Sequence, residues 1–211
     1  MKISPKILLV FLFNAIYLGT AILSAVSRAN YEFVLYIGIV IIALLIVTRF
    51  YVRFGLSTAL LWLLSFWGFL HMTGGLVQVP MHWPTGGESK VLYNLWLIQG
   101  KFKFDQCVHA YGFGTATWLI WQVLQRTLAG KFNRSFTDIR PTGGLLFLCM
   151  IGSMGLGAIN EIVEFLAMVL VPETNVGGYV NTALDLVANL VGAFIAAGLI
   201  YFFTQEKIKL S

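Results

Sequence analysis

Charge is what this sequence has least of. Lys, Arg, Asp and Glu make up 11% of 211 residues, and only nine residues are acidic. A soluble domain carries roughly a quarter charged residues, so that class is excluded. Cysteine is almost absent: Cys107 and Cys149 stand alone, with no C-x-x-C pair. That excludes a disulfide framework and gives neither thiol a redox role. No clustered basic region exists, which excludes a nucleic-acid partner. Low-complexity tracts, an internal repeat and a separable soluble segment are also missing, so residues 1–211 read as one integral membrane domain.

What is present is apolar length. Hydrophobic residues make up 58% of the chain, in long runs. A transmembrane barrel would instead alternate in segments of about ten residues. Six runs approach the roughly 20 residues that span a hydrocarbon core. They are Ile7–Val26, Phe33–Thr48, Leu56–Val79, Val108–Leu128, Leu145–Val171 and Tyr179–Phe203. The expected fold is an all-α membrane protein, a six-transmembrane-helix bundle. The shorter VLYNLWLI at Val91–Ile98 reads as an interfacial or re-entrant piece, or a loop helix. The loop AGKFNRSFTDIRPTGG reads as a basic, turn-rich connector.

The basic residues orient the spans. With the N-terminus inside, ten of the fourteen Lys and Arg fall in inner segments: Lys2, Lys6, Arg49, Arg53, Arg126, Lys131, Arg134, Arg140, Lys207 and Lys209. Arg28, Lys90, Lys101 and Lys103 fall outside. The positive-inside rule then puts both termini in the cytoplasm of a multi-pass inner-membrane protein. The net charge of +5 is a topology signal, with anionic headgroups of the bilayer as its partners. The first run, with Lys2 and Lys6 before it and Ala25-Val26-Ser27 at its end, has features of a signal peptide. Its length favours an uncleaved anchor.

Five acids, Glu32, Glu88, Asp138, Glu173 and Glu206, fall in loops or tails. The other four do not. Glu161 and Glu164, in INEIVEF, and Asp185 lie within spans, and Asp105 lies at the mouth of one. His71 is in the third span and His109 opens the fourth, while His82 belongs to a solvated loop, as does Glu88. A charged group at mid-bilayer costs about 2.5–3.5 kcal/mol. With the helices alternating in direction, all six of His71, Asp105, His109, Glu161, Glu164 and Asp185 land in the outer half.

Helical spacing supports a shared site. Asp105 and His109 are one turn apart, and Gly112 and Ala116 continue their face with small side chains that leave room. Asn181, Asp185 and Asn189 form a stripe. Ala188, Gly192 and Ala196, and likewise Ser153 and Gly157, have the spacing of close helix packing. Asn14, Asn160, Gln122 and Asn189, taken singly, are expected to bond across helices. Lys101 and Lys103 are placed at the outer interface, so the cluster itself has four carboxylates, two histidines and no Lys or Arg. Crowded carboxylates require protons, cationic histidines or a divalent metal such as zinc, manganese or iron. Glu and His on facing helices are a usual source of metal ligands, although the Glu-x-x-His template is not present.

The pattern DQCVH (Asp105 to His109), Glu161 with Glu164, and DLVANLVG (Asp185 to Gly192) resembles the VanZ-like membrane proteins. HMTGG (His71 to Gly75) and the double glutamate look closer to the YjdF-type inner-membrane proteins. Glu164 stands where VanZ-like proteins usually have Gln, and the Arg expected before the aspartate of the last helix is replaced by the Tyr179–Asn181 region. The resemblance covers about two-thirds of the chain and implies a cytoplasmic-membrane location.

Two function classes follow. One is an enzyme acting on a lipid or lipid-linked substrate, with Asp105 and His109 as metal ligands or a base and its orienter. Glu161, Glu164 and Asp185 would ligate or shuttle protons, and His71 would complete the shell. The other is a proton-coupled small-solute transporter; the inner half offers it no equivalent polar path. A third reading is a non-catalytic envelope protein whose polar cluster fixes packing.

Overall fold

The computed structural model describes residues 4–87, 89–172 and 174–209, with side chains of the last helix described as far as Thr204. Lys2, Glu88 and Glu173 lie outside the described residues, as do the side chains of Glu206, Lys207 and Lys209.

Six long helices make up the molecule: α1 (Pro5–Ser27), α2 (Tyr31–Phe54), α3 (Thr58–Leu76), α4 (Phe104–Lys131), α5 (Gly143–Leu170) and α6 (Tyr179–Lys209). Their starts are written locally. Ser4, Asn30, Ser57 and Thr142 each accept a hydrogen bond from the backbone N–H three residues on. Each cap satisfies a donor that the first helical turn leaves open. Gly55, at φ +67°, takes the left-handed conformation that ends α2. That stop explains why α2 runs past the expected Thr48: the Thr48 hydroxyl donates to the Leu44 carbonyl at 2.7 Å within the helix, and only the glycine terminates it.

Five helices, α1, α2, α3, α5 and α6, are long and apolar enough to cross a membrane. The fourth, with 28 residues, has the length but not the hydropathy. Its position supplies the reason. α4 packs against α3, α5 and α6, and buries Gln106, His109, Thr115, Thr117 and Gln122 along with its apolar residues. A helix lined by protein needs no lipid-facing coat.

Small residues bring α4 and its neighbours together. A Cβ on Gly192 would collide with the Ala110 carbonyl, and one on Gly114 would stand 3.0 Å from the Gly192 carbonyl oxygen. Ser153 donates to the Phe113 carbonyl at 2.6 Å. The expected packing role of Gly192 and Ser153 is therefore met, since no hydrophobic force drives helices together in lipid. Gly112 differs from expectation: it leaves no room, because the Trp67 indole fills the space. Asn14 bonds across to Ser65 at 2.7 Å, and Gln122 to Ser57 at 2.8 Å, as expected of buried polar groups.

The Val91–Ile98 segment is a 3-10 turn, Leu92–Asn94, followed by a short strand, β1 (Trp96–Ile98). It pairs antiparallel with β2 (Phe102–Lys103) around Gly100, at φ +71°. This small hairpin sits at the end of the bundle where α1, α3 and α5 finish and α2, α4 and α6 begin. α1 starts and α6 finishes at the opposite end.

Candidate functional site

The polar residues gather at the hairpin end, around His109. The first turns of α4 supply Asp105 and His109, and α6 supplies the facing stripe. His109 is 4% exposed, and Asp185 and Asn189 are fully enclosed. His109 Nδ1 lies 3.0 Å from Asn189 Oδ1 and 3.9 Å from Glu161 Oε1. Its other nitrogen, Nε2, lies 3.8 Å from Asp105 Oδ1. One ring nitrogen thus faces Asn189 and Glu161, and the other faces Asp105.

Two overlapping groups result, Asp105–His109–Asp185 and His109–Glu161–Glu164, each with one ligand-capable atom per residue within 4.8 Å of the others. The two groups are unequally satisfied. Asp185 accepts from Gln106 Nε2 at 2.8 Å and from Asn181 Nδ2 at 2.5 Å. Asn181 also reaches Asp105 Oδ2 at 3.4 Å. Glu164 accepts from Asn160 at 3.0 Å. Among the described residues, Glu161 has both oxygens buried with no hydrogen-bond partner within 3.5 Å, and its side chain is 9% exposed. A buried carboxylate without donors is costly unless a proton or a cation meets it.

His71 lies outside both groups. Its Nδ1 is engaged by the Tyr93 hydroxyl, and its ring meets that of Tyr36 at 5.8 Å between centroids. Burial pushes the Tyr93 phenol well above its ordinary value near 10, so the hydroxyl stays protonated.

Several features differ from the sequence reading. Lys103 is buried rather than interfacial, at 7% exposure, and its ammonium donates to Asn181 Oδ1. A cation therefore stands one side chain away from the aspartates, because the hairpin folds the start of α4 inward. Glu32 is not a loop acid. It sits in the first turn of α2, buried, and accepts from the Asn175 backbone N–H at 2.8 Å. Asn175 in turn accepts from Asn94 at 3.0 Å. The segment between α5 and α6 is thus tied down as a strap. Asn160 bonds within its own helix, not across.

Gln106, Asn189 and Tyr93 were not singled out as site residues. Gln106 adjoins Asp105, and Asn189 continues the Asp185 stripe, so spacing could have found both. Tyr93 had no signal, since only the loop's path brings it to His71.

A cavity of about 260 Å³ opens beside the glutamates. Glu161, Glu164, Val176, Thr182 and the exposed Phe165 and Tyr179 line it.

The fold and the cluster define a polytopic helical membrane protein with a buried His and carboxylate centre near one end. The chain belongs to a family described as predicted membrane protein (DUF2238), whose pattern it matches over residues 7–206. It matches no curated protein and no solved structure.

Proposed function

We propose that the chain is a membrane-embedded enzyme whose reacting centre is the His109 cluster, acting on a lipid or lipid-linked substrate. The observation that carries this reading is Glu161: a buried carboxylate with two unpartnered oxygens, beside a second carboxylate and an imidazole. That combination asks for a cation. We take it to be a divalent metal of the zinc, manganese or iron kind, held by His109 with Glu161 and Glu164, or with Asp105 and Asp185. For a metal on the Asp105 side, at Nε2, Asn189 on Nδ1 would orient the ring as outer partners of metal-bound histidines do.

His109 has Glu161 at one ring nitrogen and Asp105 at the other. An imidazole so placed can take a proton at one nitrogen and release it from the other, which suits acid–base chemistry. His71, held by Tyr93, would act as a nearby proton reserve. The cavity at Glu161 has lipid-compatible walls, which supports a substrate arriving from the bilayer. We further propose six spans, with α4 as the protein-lined sixth, both termini cytoplasmic and the site towards the outer leaflet of the inner membrane. The kinship with VanZ-like and YjdF-type proteins belongs to the same proposal.

Metal analysis of the purified protein tests the centre. Stoichiometric metal is expected in the wild type and should fall at least tenfold in His109→Ala and Glu161→Gln. Metal-free protein that folds normally would sink the metal, leaving the acid–base reading to a lipid comparison of cells with and without the gene. An unchanged lipid profile in both would end the enzyme reading.

A further inference from the structure

A second cavity begins beside the His109 centre and runs to the far end of α4. It is a groove of about 930 Å³ between α3, α4 and α6, reaching from Ala110 to Arg126 along α4 and from Gly192 to Thr204 along α6. Sixteen residues of helix cover roughly 24 Å, more than the roughly 15 Å depth of one leaflet's hydrocarbon. Ligand sites of this size are usually apolar clefts with a few convergent polar groups.

The walls follow that division. Trp118, Ile195, Leu199 and Phe203 line the shaft. At the far end stand Arg126 and Gln125, beside the 3-10 turn Phe136–Asp138. The Arg126 guanidinium rests 4.9 Å over the Phe136 ring. One of its N–H groups donates to Gln122 Oε1 at 3.3 Å. A guanidinium carries five N–H donors in a planar fork suited to phosphate. Among the described residues, no carboxylate lies within 4.0 Å of Arg126.

We infer that this groove binds one anionic phospholipid, with its phosphodiester at Arg126 and an acyl chain along the α4–α6 walls. Charge complementarity selects an anionic over a zwitterionic headgroup, and the length of the apolar shaft selects a chain-bearing ligand over a free phosphate. Arg126 and Lys131 both lie in the last turns of α4, so the headgroup meets a basic surface. The inference is independent of the metal reading, because no groove residue is a proposed ligand.

Trp118 supplies the readout. The full-length protein is placed in phosphatidylcholine nanodiscs containing a small fraction of dibrominated phosphatidylglycerol or dibrominated phosphatidylcholine. The signal is the part of the tryptophan quenching that disappears in Trp118→Phe. The anionic quencher is expected to half-saturate at a mole fraction about fivefold lower than the zwitterionic one. Arg126→Gln should erase that difference, and Arg134→Gln, in the loop, should preserve it. Equal quenching by the two lipids in the wild type overturns the proposal, as does a preference that survives Arg126→Gln. Absence of quenching in a protein that runs as a dimer shows that a second copy covers the groove, and overturns it too. Should Arg126→Gln fail to fold, Ala196→Phe fills the shaft instead. It should remove the Trp118 quenching by both lipids, and unchanged quenching there counts against the lipid.

Discussion

At the scale of single residues, two positions make the sharpest demands. Among the described residues Glu161 is buried without a donor, so its charge depends on what else occupies the site. Glu161→Gln keeps the shape and removes the charge. If a cation is held there, the variant should lose metal while its melting temperature in metal-free buffer is unchanged or raised. A thermal scan with and without chelator reads both effects, and a chelator-insensitive wild type would count against a bound metal. Gly192 makes a steric demand. An added methyl meets backbone at Ala110, which cannot swing aside as a side chain can. Gly192→Ala is expected to cost at least about 1–3 kcal/mol, the range of overpacked cores. Gly19→Ala, which meets nothing within 4 Å, is the matched control and should melt like the wild type.

At the scale of elements, the strap between α5 and α6 decides how open the glutamate cavity is. Glu32 holds it through the Asn175 amide, and Asn94 holds it through the Asn175 side chain. Both anchors come from segments far away in sequence. Glu32→Ala should speed hydrogen exchange at Asn175 by roughly tenfold, equivalent to losing one charge-assisted hydrogen bond of about 1.5 kcal/mol. Exchange unchanged from the wild type would show that Asn94 suffices. The α1–α3 contact is a weaker lock. Asn14 spans it through Ser65, and Ser65→Ala should cost about 0.6 kcal/mol, the average for such bonds in lipid.

At the scale of the whole molecule, the alternating helices put the hairpin and the strap at one end and the basic connector after α4 at the other. Thr85→Cys, in the hairpin region, should react with an impermeant thiol reagent added to intact spheroplasts. Thr137→Cys should react only after the membrane is opened. The reverse pattern would invert the proposed orientation and move the His109 centre towards the cytoplasm.

Legibility from sequence followed the physics of each feature. Apolar runs report lipid contact, so five helices could be read directly, and acids within those runs were conspicuous because lipid penalises them. Helix ends were less legible where a polar residue such as Thr48 interrupts hydropathy without breaking the helix. Periodicity placed Asp105 with His109 and Asp185 with Asn189, since each pair needs only one helix. It could not place Tyr93 on His71, Trp67 in the gap over Gly112, or Lys103 beside Asn181, because each depends on how separate elements pack. The sequence by itself determined a helical membrane chain and its costly polar residues, through the price that lipid sets on charge and on open backbone. Only the tertiary structure decided that His109 stands between Asp105 and Glu161 while Glu161 lacks a donor among the described residues, because those relations exist only once α4, α5 and α6 have closed on one another.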